Sequence, residues 1–244
     1  FQTKGDVFLL TASGTGGLEA AIVNTLSPGD KVLSVSIGVF GERFASIAEQ
    51  FGAEVIPLRF EWGQAAEPDA VRRALHAEPK IKAVLVTHNE TSTGVTNDLV
   101  AISSVVKEFD KLLLVDAISS LGSINLPVDA WQCDVTVTGS QKGWMVPPGL
   151  AMVSVSQQAW QAHANARMPR FYWDFARARN YLERGQTPWT PAISMVFALS
   201  VSLEMMLKEG LPNVIARHAR MGKAARDGIK SLGLSLFADE NQRA

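Results

Sequence analysis

The chain has 244 residues and a formal net charge of −1, and 47% of its residues are hydrophobic. This composition is typical of a water-soluble globular protein with a large apolar core. A charge so close to zero argues against a nucleic-acid-binding or polybasic membrane-binding protein, because both need an excess of basic side chains. The single cysteine, Cys133, excludes an internal disulfide and a zinc site built from clustered cysteines, and it fits a reducing, cytoplasmic environment. The sequence predicts neither a secretory signal nor a membrane-spanning helix.

Short runs rich in Val, Leu and Ile alternate with amphipathic stretches from the start of the chain to residue 155. The pattern predicts seven strands, at residues 7–11, 32–36, 54–58, 83–87, 112–115, 134–138 and 150–155. It predicts helices between them at residues 18–26, 42–51, 69–76 and 98–109. Apolar strands separated by helices indicate an α/β fold, in which a mostly parallel seven-stranded sheet is covered by helices on both faces.

The pattern changes after residue 156. Residues 157–184 are rich in Arg, Trp, Tyr and Phe and have no strand pattern. We expect a long connecting segment here, which either packs on the surface or contributes to a site or a subunit interface. Two long helices are predicted to follow, at residues 192–209 and 213–232, and they either return over the sheet or lead into another domain.

Ligands of open α/β sheets bind at the carboxyl ends of the strands, and four predicted strands end in polar or reactive segments. The first segment is the glycine-rich turn SGTGGLEA at residues 13–20, which leads from a strand into a helix. Glycines let the backbone approach an anion closely, and a helix N-terminus attracts negative charge. The turn has neither the dinucleotide fingerprint nor the P-loop signature. It predicts a phosphate site, with a plain tight turn as the alternative.

The second and third segments bring polar groups to the same edge of the predicted sheet. THNETSTG at residues 87–94 places His88 after a strand. A capped turn is favoured there over a metal site, because a zinc deaminase needs later cysteines that this chain lacks. VDAISSLG at residues 115–122 places Asp116 at the end of a very apolar strand. A carboxylate there needs a cation or a donor, although an N-cap of a following helix is the alternative.

The fourth segment, GSQKGWMVPPG at residues 139–149, places Lys142 shortly after a strand. Most lysines are solvated surface residues, but a lysine in a partly dry cleft is a nucleophile suited to Schiff-base chemistry. A phosphate-binding turn, a buried Asp116 and Lys142 are together the parts that hold pyridoxal 5′-phosphate. The lysine condenses with the aldehyde, and the aspartate pairs with the protonated ring nitrogen.

These four segments, together with GVFGERFA at residues 38–45, resemble the class V aminotransferases of the fold-type I pyridoxal-phosphate enzymes. The closest resemblance is to the alanine–glyoxylate and serine–pyruvate group, and it covers nearly the whole chain in the family's order. It implies a pyridoxal-phosphate-binding large domain over residues 1–210. Residues 211–244 would be a connecting helix and the start of a truncated small domain. Family members are longer, so we expect terminal segments to be missing and the arginine for the substrate carboxylate to lie beyond Ala244.

The resemblance also implies roles for individual residues. Lys142 would form the Schiff base and shuttle the substrate proton, and Asp116 would hold the proton of the ring nitrogen. The other implied cofactor contacts are Thr15, Gly16, Gly17 and Gln141 at the phosphate, Phe40 and Ile118 on the two ring faces, Thr91 at the ring hydroxyl, and Thr187 and Thr190 at the phosphate of the partner subunit. Thr187 stands where relatives commonly have Tyr.

The implied activity is transfer of an amino group from alanine or serine to glyoxylate or pyruvate by a cytoplasmic homodimer with shared active sites. No metal, nucleic acid or membrane partner is predicted. A lyase or cysteine desulfurase of the same fold is the first alternative. It is disfavoured by the position of Cys133 before a strand and by Gln141 and Phe40, where desulfurases usually carry histidines. A non-catalytic subunit is the second alternative, and the intact pair Asp116 and Lys142 argues against it.

Overall fold

The protein is described here by a computed structural model that covers residues 1–239. The strands are β1 (Asp6–Thr11), β2 (Lys31–Ser36), β3 (Glu54–Arg59), β4 (Ile81–Thr87), β5 (Asn89–Glu90), β6 (Val95–Thr96), β7 (Leu112–Asp116), β8 (Val135–Gly139) and β9 (Leu150–Val155). The helices are α1 (Gly14–Thr25), α2 (Val39–Gln50), α3 (Pro68–Ala77), α4 (Leu99–Glu108), α5 (Gln157–Asn165), α6 (Phe175–Leu182), α7 (Ile193–Glu209) and α8 (Leu211–Ser231). Within these residues, no helix has both the length and the apolar character needed to span a membrane.

One seven-stranded sheet forms the centre of the fold, with the strand order β1-β9-β8-β7-β4-β2-β3. Five consecutive strands, from β8 through β7, β4 and β2 to the edge strand β3, pair in parallel, whereas β9 is antiparallel to both of its neighbours, β1 and β8. The predicted mostly parallel sheet of seven strands is therefore confirmed. The short hairpin of β5 and β6 lies outside this sheet and was not predicted.

The inner strands β4, β7, β8 and β9 are buried on both faces of the sheet, which explains why they are so apolar, whereas the edge strands β1 and β3 are partly exposed. Side chains of a strand point alternately to opposite faces. Along β4, Val84 and Val86 pack into one core, whereas Ala83 and Leu85 pack into the other. Helices α1 and α2 cover one face, and α3, α4 and α7 cover the other. This two-sided arrangement directs the carboxyl ends of the parallel strands to one open edge.

The first two helices begin earlier than the sequence suggested. We predicted starts at residues 18 and 42, but α1 begins at Gly14 and α2 at Val39. Glycines normally weaken a helix, so the glycine-rich stretch before residue 18 was interpreted as a turn. Close packing accounts for these glycines: a Cβ on Gly17 would lie 2.5 Å from Val137 Cγ1.

Residues 157–184 contain two helices, α5 and α6, rather than an irregular segment. Each helix begins after a residue whose side chain caps it. Ser156 accepts a hydrogen bond from the Ala159 amide, and Asp174 accepts one from the Arg177 amide. These capping residues were the sequence signals for the two helices, but the aromatic and arginine content obscured the helical period.

The two predicted C-terminal helices are confirmed as α7 and α8. Gly210, with φ of 85°, ends the first and begins the second. The predicted domain boundary falls at this glycine, and residues 240–244 of the second predicted domain lie outside the described residues.

Candidate active site

A cleft of about 150 Å³ lies at the carboxyl edge of the sheet, between the first turns of α1 and α2, the hairpin of β5 and β6, and the loops after β7 and β8. Seven of the eleven predicted site residues line it, from five separate stretches of the chain: Thr15, Phe40, Thr91, Asp116, Ile118, Gln141 and Lys142. The convergence follows from the topology, because the ends of neighbouring parallel strands meet at the same edge.

Asp116 is the last residue of β7, and its side chain is 4% exposed. Burial raises the pKa of this carboxyl to about 7, while the hydrogen bond from the Ile118 amide to Oδ1, at 2.9 Å, acts in the opposite direction. That bond closes a turn rather than starting a helix, so the N-cap alternative is replaced by an Asx-type turn. Among residues 1–239, no ion pair involves Asp116. The buried carboxylate therefore faces the cleft without a cation of its own.

Lys142 lies in the loop that follows β8. Its side chain lines the cleft and is exposed to solvent. The loop around it is held firmly. Trp144 is buried behind the lysine and donates from Nε1 to Thr138 Oγ1 at 3.1 Å. Ser140 Oγ donates to the Pro147 carbonyl at 2.8 Å and accepts from the Leu150 amide at 3.2 Å. A fixed backbone with an accessible amine is the arrangement that a nucleophilic lysine needs.

Two helix N-termini point at the cleft, and they differ in what their amides contact. In α1 the Gly17 amide donates to the Ser13 carbonyl at 3.3 Å, and the Ser13 side chain makes no capping bond. The three amides before it, of Gly14, Thr15 and Gly16, precede the first hydrogen bond of the helix. The N-terminus of α2 is instead occupied by the Glu90 carboxylate, described below. An anion in the cleft is therefore expected at α1.

The glycines of the first helical turn serve packing as well as the cleft. Gly16 and Gly17 do not line the cleft themselves. A Cβ on Gly16 would lie 2.8 Å from Trp173, and one on Gly14 would lie 2.5 Å from Ile118 Cδ1. Gly14, which lines the cleft, was not among the predicted contacts although it stands in the same motif. Gly16 and Gly17 were both predicted to contact the phosphate. The Gly17 amide makes the first hydrogen bond of α1, whereas the Gly16 amide precedes that bond.

The remaining walls of the cleft combine apolar and amide groups. Phe40 and Ile118 supply apolar surface, and the Arg43 guanidinium lies 4.8 Å from the Phe40 ring centroid. Asn89 is fixed by a 2.9 Å bond from Nδ2 to Ser119 Oγ. Arg43, Asn89 and Ser119 line the cleft and were missed. Asn89 and Ser119 follow strand ends, where polar residues are common in unrelated turns, and Arg43 lies within α2, where an arginine is typical of a solvated helix face.

Thr187 and Thr190 are exposed and do not line this cleft. The Thr187 hydroxyl donates to the Trp189 carbonyl at 2.7 Å. The segment that carries both threonines borders a second, apolar cavity of about 460 Å³ between β1 and the start of α7. Their predicted role at the phosphate of a partner subunit stays a prediction.

His88 is buried, and burial lowers its pKa to about 4. Its Nδ1 lies 2.9 Å from Ser120 Oγ, so His88 is a buried, hydrogen-bonded residue of this turn. In residues 1–239 there is no group of three or more His, Cys, Asp or Glu side chains that could hold a metal ion. Glu90, two residues further along the chain, accepts hydrogen bonds from the backbone amides of Phe40 and Gly41.

The family model for class V aminotransferases matches residues 3–244. The chain belongs to this family. It is 49% identical over 240 residues to the soluble hydrogenase 42 kDa subunit of Anabaena cylindrica, covering 97% of this chain and 63% of that protein. It is 39% identical over 246 residues to the serine–glyoxylate aminotransferase of Methylorubrum extorquens, covering 97% and 61%.

The same relationship is seen in three dimensions. The crystal structure of an alanine–glyoxylate aminotransferase from Nostoc sp. superposes with a TM-score of 0.95 at 30% identity, covering 99% of this chain and 65% of that one. The fold-type I large-domain fold predicted from the sequence is thus confirmed, and class V aminotransferases are pyridoxal-phosphate enzymes. The chain spans less than two thirds of the length of the relatives that it matches.

Proposed function

We propose that this chain binds pyridoxal 5′-phosphate and is part of an aminotransferase that moves the amino group of a small amino acid, alanine or serine, to glyoxylate or pyruvate. The observation that carries the proposal is that Asp116, Lys142 and the open N-terminus of α1 face one cleft. The family membership and the serine–glyoxylate and alanine–glyoxylate activities named for the relatives support it.

The groups around the cleft fit this cofactor in charge and shape. The open amides of α1 suit a phosphate, the unpaired carboxylate of Asp116 suits a protonated ring nitrogen, and the Lys142 amine suits an aldehyde. When bound, the cofactor supplies a ring that withdraws electrons and stabilises negative charge on the substrate carbon. The residues that would hold it are Gly14, Thr15, Gly16 and Gln141 at the phosphate, Phe40 and Ile118 at the ring faces, Thr91 at the ring hydroxyl and Asp116 at the nitrogen.

Two side chains of this cleft would handle protons. Asp116, ionised and buried, would keep a proton on the ring nitrogen, because a buried charge gains most from an opposite charge at contact distance. The Lys142 amine would take the proton from the substrate carbon and return it, since it is exposed to the cleft on a flexible stem above a fixed loop. Phe40 and Ile118 would keep water from the ring faces.

The proposal includes the domain division at residues 1–210 and 211–244. Gly210 separates α7 from α8, and Val214 is the buried residue of α8. A helix with so little buried surface is expected to leave the large domain. A cytoplasmic location is part of the same proposal.

We also propose a homodimer. Helix α7 exposes several large apolar side chains on one surface, next to the segment that carries Thr187 and Thr190. These exposed side chains are Ile193, Val196, Phe197, Val201 and Met205. A surface of this kind is typical of an interface between subunits.

The test is spectroscopic and uses protein expressed from its complete gene. We expect reconstitution with pyridoxal phosphate to give a visible absorption band that Lys142→Ala abolishes, while Lys111→Ala, on a lysine far along the chain from the cleft loop, retains it. Addition of alanine or serine should change the band, and glyoxylate should restore it. A protein that binds no pyridoxal phosphate contradicts the proposal.

The same experiment separates the alternatives. Burial raises the pKa of Cys133 to about 12, and this thiol is 3% exposed, which disfavours a desulfurase nucleophile. Cys133→Ala should therefore retain activity.

The relative named as a hydrogenase subunit favours a non-catalytic subunit as the second candidate. A non-catalytic subunit predicts that no amino acid changes the spectrum.

A further inference from the structure

The Glu90 carboxylate is fully buried and accepts four hydrogen bonds. Oε2 accepts from the amides of Phe40 at 3.0 Å and Gly41 at 3.1 Å. Oε1 accepts from the Ser92 amide at 3.0 Å and from Ser92 Oγ at 2.7 Å. Ser92 Oγ in turn accepts from the Val39 amide at 3.1 Å. The first three amides of α2 are thus bound by two side chains of a distant hairpin.

This arrangement replaces the usual local cap. The residue before α2 is Gly38, which has no side chain to cap the helix. A Cβ at Gly38 would lie 2.5 Å from Ser92 Oγ and 2.6 Å from Glu90 Cγ, so glycine is what allows the hairpin to approach. A carboxylate that accepts hydrogen bonds at a helix N-terminus is stabilised both by the charge-assisted bonds and by the helix dipole.

The same contacts join two walls of the cleft. Phe40 lies on α2, and Thr91 lies between Glu90 and Ser92 on the hairpin; both line the cleft. All four acceptor contacts of Glu90 are to protein donors, and the side chain is not exposed, so it neither exchanges protons with a substrate nor ligates a metal. Its contacts instead determine where the Phe40 backbone, and therefore the Phe40 ring, lies.

We propose that Glu90 is a positioning residue that holds the Phe40 ring against the cofactor. This inference rests on the proposed binding of pyridoxal phosphate. Glutamine has the same shape as glutamate, but its amide nitrogen is a donor. It would replace one of the two oxygens and would face groups that also donate. Glu90→Gln should therefore loosen the start of α2 without leaving a cavity.

The first measurement is the dissociation constant of pyridoxal phosphate, with the full-length protein. We expect Glu90→Gln to weaken binding at least tenfold and to shift the visible band, since the ring loses its fixed neighbour. The matched control is Glu42→Gln on the same helix, where the carboxylate pairs with Arg59 at 3.0 Å and does not line the cleft. This control should change the dissociation constant less than twofold.

A double-mutant cycle with Phe40→Ala identifies the route of the effect. If Glu90 acts through Phe40, the loss caused by Glu90→Gln should disappear once the ring is absent. Equal losses with and without the ring would overturn the inference. A general loss of folding would not produce this cancellation.

Two further measurements keep the inference testable if Glu90→Gln folds poorly or the cofactor proposal fails. Ser92→Ala leaves the carboxylate in place and should weaken cofactor binding in the same direction but less. Amide hydrogen exchange of Phe40 and Gly41, without cofactor, should accelerate in either variant. If the wild-type protein binds no cofactor, the proposed function and the positioning role both fail. Faster amide exchange of Phe40 and Gly41 in the variants would then still show that Glu90 and Ser92 cap α2. If the wild type binds and Glu90→Gln binds equally well, the positioning role alone is wrong.

Discussion

Asp116 Oδ1 accepts a hydrogen bond of 2.9 Å from the amide of Ile118, two residues further along the chain. The same short turn therefore fixes a carboxylate and an apolar side chain that both line the cleft. The turn pre-sets the direction of the Asp116 side chain before any ligand binds. Desolvation of the charge outweighs this bond, so the pKa of the carboxyl stays raised, at about 7.

The raised pKa of Asp116 predicts how the stability of the cofactor-free protein depends on pH. Between the ordinary value of 3.8 and about 7, the folded state holds a proton that the unfolded state has released. The free energy of unfolding therefore falls as the pH rises through this window. We expect cofactor-free Asp116→Asn to be more stable than the wild type at pH 8, by up to about 4 kcal/mol. The difference should vanish near pH 4 in thermal denaturation experiments, and lower stability of the variant at pH 8 would contradict the assignment.

The buried His88 predicts the opposite pH dependence of the free energy of unfolding, in an overlapping pH range. Burial lowers its pKa from 6.5 to about 4, so the unfolded state binds a proton there that the folded state excludes. The stability it contributes is complete above pH 6.5 and is lost as the pH falls towards 4, by about 3 kcal/mol. His88→Asn should flatten this loss in denaturant titrations between pH 4 and 7. An unchanged loss of stability in the variant would contradict the explanation.

A methyl group at Gly14 should perturb the cleft more than the fold. The added Cβ would lie 2.5 Å from Ile118 Cδ1 and 2.7 Å from Cγ1, so the Ile118 side chain must move. We expect Gly14→Ala to weaken pyridoxal-phosphate binding about tenfold, which corresponds to roughly 1.4 kcal/mol. Gly228→Ala on α8 is the matched control, because a Cβ there meets nothing within 4 Å. It should stabilise the protein by roughly 0.5–1 kcal/mol and leave cofactor affinity unchanged; if both variants bind alike, Ile118 does not shape the site.

A buried ion pair at the opposite edge of the sheet is predicted to contribute to stability alone. Asp134 pairs with Lys107 and also accepts from the Leu113 amide at 2.7 Å and from Ser156 Oγ at 2.8 Å. Asp134→Asn removes the charged partner of the lysine, which keeps its neutral acceptors Lys111 O and Gln158 Oε1, and should cost about 3–5 kcal/mol. Chemical denaturation measures this loss, while the cofactor affinity of the folded variant should not change. The control is Asp227→Asn, which breaks the exposed pair with Lys223 and should leave the denaturation midpoint unaltered. A comparable loss of stability in this control would show that burial is not the cause.

The local pattern of the sequence was sufficient for the elements and for much of the cleft. The strands were predicted correctly because both faces of the sheet's centre are buried, which makes the inner strands β4, β7 and β9 nearly continuous apolar runs. Asp116 and Lys142 were found because a polar residue at the end of such a run is conspicuous. The starts of α1 and α2 were missed, because the glycines there are explained by tertiary contacts that no local pattern contains. These contacts are with Ile118 and Val137 for α1 and with Glu90 and Ser92 for α2.

What the sequence determined by itself was therefore the order of strands and helices and the chemical groups that follow the strand ends. Only the tertiary structure decided how those groups are used. Two helix N-termini face the cleft. The glycine-rich turn before α1 predicted an anion site there, but no local pattern showed what contacts the amides at the start of α2. Glu90, 50 residues from Phe40 in the chain, fills the N-terminus of α2 and leaves that of α1 open. The pairing of a carboxylate with a distant helix depends on the folded path of the chain, which a local pattern does not encode.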